Sequence, residues 1–516
     1  MNLRRWLQPG IGVKRWLLVV FAGELCLALA GALVLRQVYR EVEVDGPVQA
    51  ALYLVTLQFL PYAARGAILA GLGVGLFVWG SYRVVRALTE PFTTGAETPL
   101  VEVIYQKRLL SRGPRVVAIG GGTGLSTLLR GLKERTSNLT AIVTVADDGG
   151  SSGKLREVLG IPPVGDIRNC IVALADAEPL MGELLQYRFP RRADGGDGPK
   201  LDPGAGPDGA PSTRPDRPTS SDRARPIDPD RPASADADRA APAHPIDPDR
   251  PASSSPDAST DLPSSPDEAD RLHGHAVGNL LIAAMAAIQG GDFEEAVRQM
   301  NRVLLVRGRV LPATPTPLTL HARLADGTVV DGQSRIARSS GIERVWITPP
   351  DVKASDDALA AIGEADILVI GPGSLFTSIL PSLLIPDIQA AVAASPAVRI
   401  YVCNVATQYG ETAGFDLADH VEALERHTRP GLVDVVLANS AFGARRPAEW
   451  RAEPVRLRWP PATGVVPELV LDEVVDPANA HHHDPERLAA AVFRVAERTS
   501  QRRRREGPQA RAARTA

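Results

Sequence analysis

Acidic and polar residues stand together in the stretch from residue 147 to 152, directly after a predicted strand. Asp147 and Asp148 precede two glycines, which are followed by Ser151 and Ser152. Adjacent carboxylates can bind ribose hydroxyls or a divalent cation such as Mg²⁺, and hydroxyls at the start of a helix can donate to a phosphate. Asp and Gly are also ordinary turn-forming residues, so a plain turn is the alternative interpretation.

A second polar cluster follows in the loop that begins at Pro162. Asp166, Arg168 and Asn169 offer an acceptor, a planar cation and an amide close together in the chain. A guanidinium can hold a phosphate through two parallel hydrogen bonds, which favours a phosphate contact for Arg168. The alternative is a helix N-terminus capped by Asp166 beside a surface arginine.

Histidines supply the remaining candidates for chemistry. His275 and Asn279 are four positions apart at the start of an apolar segment, so on a helix they share one face and could complete the wall of a pocket. A lone histidine is more often packed or solvated. The adjacent His481, His482 and His483 could bind a metal ion, but such a run is more often solvated.

The glycine-rich stretch that begins at Val116 predicts a phosphate-binding turn. Four apolar residues predict a buried strand, and leucines at helical spacing after the glycines predict a helix. Backbone N–H groups and the positive end of the helix dipole would then face an anion. The spacing matches neither G-x-G-x-x-G nor a Walker A loop, so a tight strand-to-helix connection is the alternative. The candidate ligand-binding residues of this turn are Gly120, Gly121, Gly122, Thr123 and Gly124.

Two more candidate segments follow strands predicted at Asp366–Ile370 and Val398–Asn404. Ligands of open α/β sheets bind beyond the carboxyl ends of the strands, so we expect these segments and the first glycine turn to share one site. The candidate ligand-binding residues here are Gly371, Gly373, Ser374, Thr377, Asn404, Thr407 and Gln408.

These residues must be positioned by strands that alternate with helices. The alternation predicts an α/β fold with a Rossmann-like, mostly parallel sheet and helices on both faces. The second strand is predicted from Thr140 to Ala146. An alternating segment, Leu318–Arg338, contains a turn at residues 325–327 and predicts a hairpin that adds antiparallel strands to the sheet. Asp484 and Pro485 predict the start of the last helix.

The composition argues against several classes of protein. The chain has 516 residues, a formal net charge of −3 and few aromatic residues, so we expect no nucleic-acid partner. Its three cysteines are too scattered for a disulfide framework or a zinc site.

Residues 1–90 predict a membrane anchor. Apolar stretches at 16–35 and Gly66–Tyr82 predict a transmembrane two-helix hairpin, and the flanking basic residues place both ends and the large domain in the cytoplasm. A buried helical hairpin of a soluble protein is the alternative. The other predicted regions are a linker at 91–114, a nucleotide-binding domain at 115–500 and a basic tail at 501–516.

Residues 191–271 predict a disordered insert within that domain. Pro, Asp, Ala, Ser, Gly and Arg dominate, and Pro226–Ser234 recurs at Pro245–Ser253. Such a composition cannot bury a hydrophobic core. The apolar pattern resumes beyond it, so the insert interrupts one domain and does not separate two.

Six motifs stand in the chain in a fixed order. They are Gly-Gly-Gly-Thr-Gly-Leu-Ser from Gly120, Ala-Asp-Asp-Gly-Gly-Ser-Ser-Gly from Ala146, Pro-Val-Gly-Asp-Ile-Arg-Asn from Pro163, Gly-His-Ala-Val-Gly-Asn-Leu from Gly274, Gly-Pro-Gly-Ser-Leu-Phe-Thr-Ser from Gly371 and Asn-Val-Ala-Thr-Gln-Tyr-Gly-Glu-Thr from Asn404. Together they closely resemble the motifs of the gluconeogenesis factor family (YvcK-like), relatives of 2-phospho-L-lactate transferase (CofD). The resemblance covers residues 115–190 and 272–500, and Tyr409 stands where the family usually has proline.

The resemblance implies a cytoplasmic Rossmann-like domain that binds UDP-sugars such as UDP-N-acetylglucosamine and affects cell-wall synthesis, cell shape and growth on gluconeogenic carbon. The diphosphate would lie on the glycine turns. The related transferase moves a phospholactate group from a guanylated or similar donor to a deazaflavin precursor, with magnesium. A transferase that holds Mg²⁺ at Asp147 and Asp148 is therefore the alternative function. A homo-oligomer is compatible with either function.

Overall fold

Most of the chain from residue 108 onward is described by the computed structural model. The predicted insert at 191–271 lies outside the described residues, and it stays a prediction. The described ranges are 108–175, 179–190, 272–441 and 451–515, together with scattered positions between 21 and 79.

The predicted membrane hairpin falls mostly outside these ranges and also stays a prediction. Within the described residues, no single helix combines the length and the apolar composition needed to cross a membrane. One strongly bent pair, Leu375–Leu383 with Pro386–Ala394, meets the criteria only when its two helices are taken together, and they meet at 79°.

The described elements alternate between strand and helix for much of the chain. A π-helical turn, Leu375–Ile379, follows the strand Ile367–Ile370. The strands are β1 (Val116–Gly120), β2 (Leu139–Val143), β3 (Arg309–Pro312), β4 (Thr319–Leu324), β5 (Val329–Asp331), β6 (Ile342–Thr348), β7 (Ile367–Ile370), β8 (Val398–Val402), β9 (Val435–Asn439), β10 (Glu468–Asp472), β11 (Val475–Asp476) and β12 (Asn479–His483). The helices are α1 (Gly122–Leu132), α2 (Gly150–Leu159), α3 (Gly165–Leu174), α4 (Pro179–Gln186), α5 (Val277–Ile288), α6 (Phe293–Val303), α7 (Gln333–Ile336), α8 (Asp356–Glu364), α9 (Leu380–Leu383), α10 (Pro386–Ala394), α11 (Leu417–His427) and α12 (Pro485–Thr515).

Seven strands form one parallel sheet with β1 near its centre. Their spatial order is β10-β9-β8-β7-β1-β2-β3, and every neighbouring pair is parallel. Val117 of β1 lies opposite Thr140 on one side and Leu368 on the other. All residues of β1 are buried, as expected for a parallel strand covered on both faces. The predicted Rossmann-like, mostly parallel sheet flanked by helices is confirmed, although the second strand ends at Val143 and not at Ala146.

The helix after β1 is held by the leucines that predicted it. The four leucines from Leu125 to Leu132 are fully buried, and α1 packs against α3 and α12. A Cβ at Gly131 would lie 1.9 Å from the carbonyl oxygen of Pro485. The close approach of α1 and α12 therefore requires glycine at this position.

The predicted hairpin exists, but it belongs to a separate sheet. β4 and β5 pair antiparallel with His321 opposite Asp331, and β6 pairs antiparallel with the other edge of β4. The expectation that the hairpin extends the main sheet is wrong. The hairpin instead pairs with β6, a strand that the sequence pattern did not identify, and the three strands form a separate sheet.

The last helix begins where the sequence predicted and continues into the basic tail. The N–H of Arg487 donates to Oδ1 of Asp484 over 2.8 Å, a capping contact. Arg502 pairs with Glu468, and Arg503 pairs with Asp434 over 2.6 Å. The first residues of the predicted tail are therefore part of α12 and contact the sheet.

The chain divides into two units, and the smaller one, Pro179–Leu281, contains α4 and the start of α5. Within it, Arg188 and Ala276 form an antiparallel bridge, and the Phe189 N–H donates to the carbonyl of His275 over 3.2 Å. The residues that border the insert on its two sides are thus hydrogen-bonded to each other. The larger unit consists of Met1–Glu178 and Ile282–Ala516 and contains the main sheet.

Candidate functional site

The turns that follow β1, β7 and β8 meet at the carboxyl edge of the main sheet. The Gly371 N–H donates to the carbonyl of Ile119 over 2.9 Å. The Gly373 N–H donates to Oδ1 of Asn404 over 3.3 Å, and Nδ2 of Asn404 donates back to the Gly373 carbonyl over 3.0 Å. The Asn404 amide therefore fixes the turn after β7 against the end of β8.

Glycines let the turns after β1 and β7 touch backbone to backbone. A Cβ at Gly124 would lie 2.7 Å from the carbonyl oxygen of Pro372 and 3.0 Å from the Cα of Gly373. Gly122 has a φ of +66°, which side-chain-bearing residues rarely adopt. Gly122→Val would therefore strain the backbone itself, so it cannot serve as a test of phosphate binding.

A cavity of about 650 Å³ opens between these turns. Its wall combines the turns after β1 and β7, the segment after β8, and β12. Gly120 and Gly371 directly precede wall residues in the chain. The predicted site residues that line the cavity are Gly121, Gly122, Thr123, Gly124, Gly373, Ser374, Asn404, Thr407 and Gln408.

Two polar side chains of the wall connect its segments. The hydroxyl of Ser374 donates to Oε1 of Gln408 over 2.7 Å, which joins the turn after β7 to the segment after β8. Oγ1 of Thr407 accepts the N–H of Glu453 over 3.0 Å, and the Thr407 N–H donates to the carbonyl of Glu453 over 2.7 Å. Thr407 thus connects the segment that contains Glu453 to the cavity wall.

The adjacent aspartates after β2 have different partners and do not line the cavity. Oδ1 of Asp147 accepts the Gly149 N–H over 2.9 Å, whereas Oδ1 of Asp148 accepts the Ser334 N–H over 2.8 Å. Burial raises the pKa of Asp147 and the charge of Asp148 adds to the rise, against hydrogen bonds from Gly149 and Ser152 that lower it. The contact between Asp147 and the Gly149 N–H is the one that a plain turn predicts. The ribose or metal contact of Asp147 stays a prediction.

Asp166 connects these aspartates to the first glycine turn. The N-cap of α3 is Val164, so Asp166 does not cap the helix as the alternative had it. Burial raises the pKa of Asp166 to about 7, and the charge of Asp147 contributes to the rise. A hydrogen bond from the Gly122 N–H and the positive charge of Arg168 act in the opposite direction.

The other residues of this polar region are enclosed by the protein. Arg168 is 7% exposed, and its Nη2 donates to Oδ1 of Asn169 over 2.8 Å. The surface-arginine alternative is therefore wrong. Ser151 and Ser152 are buried in the first turn of α2. Arg168 partly offsets the charge of the neighbouring acids, and its predicted phosphate contact stays a prediction.

Thr377 and Glu411 are buried and are not among the lining residues. Gln333 donates through Nε2 to the carbonyl of Thr377 over 3.2 Å. Burial raises the pKa of Glu411 to about 7, against the nearby hydroxyl and N–H of Thr377 and N–H of Phe376. Within the described chain, neither Glu411 oxygen has a hydrogen bond of standard geometry. The sequence analysis placed Glu411 in a motif but did not identify it as a site residue.

Several wall residues were not among the predicted ligand-binding residues. His483 is 6% exposed, its Nε2 lies 3.3 Å from the carbonyl oxygen of Cys403, and burial lowers its pKa to about 4. The expectation of solvated histidines is therefore wrong for His483. The run of three histidines was visible in the sequence, and it lies on β12, which pairs antiparallel with β11. The unpredicted wall residues with polar or aromatic side chains include Ser378, Tyr409, Arg451, His481, His482 and His483.

The structure does not test two of the predicted contacts, a pocket wall at His275 and Asn279 and a magnesium site at Asp147 and Asp148. His275 and Asn279 are buried in the smaller unit, and their contribution to a ligand pocket stays a prediction. Over the described ranges, no three His, Cys, Asp or Glu side chains gather as a metal site would require. The magnesium contact of Asp147 and Asp148 also stays a prediction.

Known proteins are similar to this chain in sequence and fold. The family model described as 2-phospho-L-lactate transferase CofD matches residues 116–457. The gluconeogenesis factor of Bacillus subtilis is 37% identical over 396 residues, which cover 74% of this chain and 98% of that protein. The gluconeogenesis factor of Halalkalibacterium halodurans is 40% identical over 345 residues, which cover 66% of this chain and 83% of that protein.

A solved structure agrees with the sequence comparisons. The crystal structure of a UPF0052 family member from Bacillus halodurans is 36% identical to this chain, with a TM-score of 0.54. The match covers 74% of this chain and 99% of that one. The chain therefore belongs to the gluconeogenesis factor (CofD-like) family.

Proposed function

We propose that this chain binds a UDP-sugar such as UDP-N-acetylglucosamine in the cavity at the carboxyl edge of the sheet. In this proposal it acts as a regulatory protein that couples the supply of the nucleotide sugar to cell-wall synthesis, cell shape and growth on gluconeogenic carbon. The diphosphate lies on the turns at Gly120–Gly124 and Gly371–Ser374.

The observation that carries the proposal is the shared cavity of the two glycine turns. α1 begins at Gly122, its N-cap is Gly121, and no side chain caps it from that position. One of its first N–H groups, that of Gly122, is bonded to Asp166, and the positive end of the helix dipole lies at the same cavity as the turn containing Gly373. Backbone N–H groups at a helix N-terminus, approached through glycines, are a recurring form of phosphate site.

The size and polarity of the cavity fit a nucleotide sugar. A volume of about 650 Å³ lies within the usual range for small-molecule sites. Ser374, Thr407 and Gln408 supply hydroxyl and amide groups, and apolar side chains are few in the wall. Such a wall favours a ligand with many hydroxyl and phosphate oxygens over an apolar one.

The membrane anchor is part of the same proposal. The apolar stretches at 16–35 and Gly66–Tyr82, with the basic residues that flank them, support a hairpin that holds the domain at the cytoplasmic face. A reporter that is active only in the cytoplasm should be active when it is fused after Ala516. The full chain should sediment with membranes. Quantitative recovery in the soluble fraction would rule out the anchor.

The direct test of ligand binding is titration calorimetry on the purified chain with UDP-N-acetylglucosamine, with UDP and with GDP. We expect saturable binding of the UDP-sugar with one site per chain, both with and without magnesium. Saturable binding of GDP that needs magnesium, without binding of the UDP-sugar, would reject the proposal in favour of a transferase.

The transferase alternative is supported by the buried acids. Burial is the main cause of the raised pKa values of Asp147 and Asp166, and the charge of Asp147 adds to the rise at Asp166, against the opposing charge of Arg168. A magnesium ion bound by these carboxylates would relieve the repulsion and would neutralise phosphate oxygens in a group transfer. In that reading, GDP affinity depends on magnesium and is lost in the variant Asp147→Asn.

A further inference from the structure

Tyr409 and Arg451 contact each other at the cavity. The guanidinium carbon of Arg451 lies 4.9 Å from the centre of the Tyr409 ring, within cation–π range. Nη1 of Arg451 also donates to the Tyr409 hydroxyl over 2.8 Å. Both residues line the cavity, yet Tyr409 remains 58% exposed. The ring is therefore held on one side by Arg451 while much of its surface stays accessible.

Hydrogen bonds of neighbouring residues hold the two segments that carry the pair. The Gln408 N–H donates to Oγ1 of Thr412 over 2.9 Å, which closes the turn that contains Tyr409. On the other side, Ala406 and Pro454 form an antiparallel bridge, and the Val455 N–H donates to the carbonyl of Val405 over 3.1 Å. The segment that begins at Arg451 is thus paired with the segment that leads to Tyr409.

The charge of Arg451 is available to a ligand. Within the described part of the chain, Arg451 makes no ion pair with a carboxylate, and its hydrogen-bond partner is the neutral phenol of Tyr409. An arginine held by tyrosine keeps its full positive charge beside an aromatic face. This combination suits a ligand that carries both a flat ring and phosphate groups.

We propose that Tyr409, positioned by Arg451, is the stacking platform for the nucleotide base. This inference rests on the proposed function, because it needs a nucleotide in the cavity. Among the described residues of the wall, Tyr409 is the one with a carbocyclic aromatic ring, and the base is the flat aromatic part of a nucleotide sugar. Because stacking tolerates every base, the platform contributes affinity and not the choice between uracil and guanine.

The experiment compares Tyr409→Phe, Tyr409→Leu and Tyr409→Ala with the unchanged chain by calorimetry with UDP-N-acetylglucosamine. Phenylalanine keeps the ring, leucine keeps apolar bulk without a π face, and alanine removes both. We expect the Phe variant to bind within about threefold of the unchanged chain, and the Leu and Ala variants to bind about tenfold more weakly. UDP should show the same ratios, because it carries the same base.

The outcomes separate this inference from the proposed function. If the unchanged chain binds neither UDP-N-acetylglucosamine nor UDP, the proposed function fails and this inference fails with it. If the unchanged chain binds and the Leu variant binds as well as the Phe variant, the function stands and the platform is rejected. Thermal unfolding of each variant, expected within about 2 °C of the unchanged chain, excludes a loss of fold as the cause of weaker binding.

Discussion

Asp166 is buried next to Asp147, and burial together with the negative charge of Asp147 raises the pKa of Asp166 to about 7. The same carboxylate receives a hydrogen bond from the Gly122 N–H in the first glycine turn. A buried acid thus connects the turn that we assign to phosphate with the aspartates after β2. Its titration can be measured in the protein without any ligand.

The first prediction concerns the pH dependence of stability. The folded chain keeps a proton on Asp166 up to about pH 7, whereas the unfolded chain releases it near pH 4, so the folded state binds more protons between these values. The free energy of unfolding should therefore fall as the pH rises through this window and level off above it. Asp166→Asn removes the titrating carboxyl group. The slope of the unfolding free energy against pH should therefore become less steep by up to roughly 1.4 kcal/mol per pH unit.

Chemical denaturation at pH 5, 6, 7 and 8 measures this effect as the difference between variant and unchanged chain. The comparison is needed because Asp147 and Glu411, whose pKa values are also raised, tilt the unchanged curve in the same direction. Asp326→Asn is the matched control. Asp326 is exposed, and hydrogen bonds from Thr328 lower its pKa, so its substitution should not alter the slope above pH 5. If the unfolding free energy of Asp166→Asn and of the unchanged chain depended on pH in the same way, the raised pKa of Asp166 would be contradicted.

The second prediction concerns the contact between α1 and α12. Gly131→Ala places a Cβ where the carbonyl of Pro485 lies 1.9 Å away, so one helix must shift. We expect a loss of about 1–3 kcal/mol in the free energy of unfolding. Gly363→Ala in α8 is the control, because a Cβ there meets no atom within 4 Å, and alanine should add about 0.5–1 kcal/mol. Equal effects of the two substitutions would show that helix propensity, and not the contact with Pro485, determines the change in the free energy of unfolding.

The parts of the fold that follow from local pattern were predictable from the sequence. β1 and α1 combine an apolar run, a glycine turn and leucines at helical spacing, and each of these signals lies within a few residues of the element it specifies. The same holds for the cap at Asp484. The glycine turns were identified for the same reason, and the parallel sheet brings them to one cavity.

The remaining features depend on contacts between distant residues. The Asp148–Ser334 hydrogen bond joins residues 186 positions apart, and the His483–Cys403 contact joins residues 80 positions apart. No local pattern reports which segment will lie beside an aspartate or a histidine after folding. The buried position of Arg168 was missed because its sequence neighbourhood is equally typical of a solvated helix start.

The third prediction concerns the insert at 191–271. The residues that border it are held together by the Arg188–Ala276 bridge and by the Gly274 N–H, which donates to the carbonyl of Phe189 over 2.9 Å. Replacement of the insert by Asn-Gly, a tight-turn sequence, should therefore join two ends that are already adjacent. We expect the melting temperature to change by no more than about 2 °C, measured by calorimetry. A collapse in soluble yield would mean that the insert packs against the domain.

The fourth prediction tests the phosphate site at the N-terminus of α1. Thr123 is exposed and lines the cavity, and the first turn of α1 contains no acidic residue. Thr123→Asp places a negative charge where the diphosphate is expected, and the same charge is favourable to the helix dipole by about 0.3–1 kcal/mol. The variant should therefore remain at least as stable as the unchanged chain while it binds UDP-N-acetylglucosamine about 100-fold more weakly, a loss of about 2.7 kcal/mol.

Thr123→Asn controls for shape, because asparagine matches aspartate in size without its charge. It should bind within about threefold of the unchanged chain, so the difference between the two variants isolates the effect of charge. Raising the salt concentration should narrow that difference, since screening weakens the repulsion between the carboxylate and the diphosphate. If Thr123→Asp binds the ligand as well as Thr123→Asn does, the diphosphate lies away from the start of α1, and the arrangement proposed for the two glycine turns is wrong.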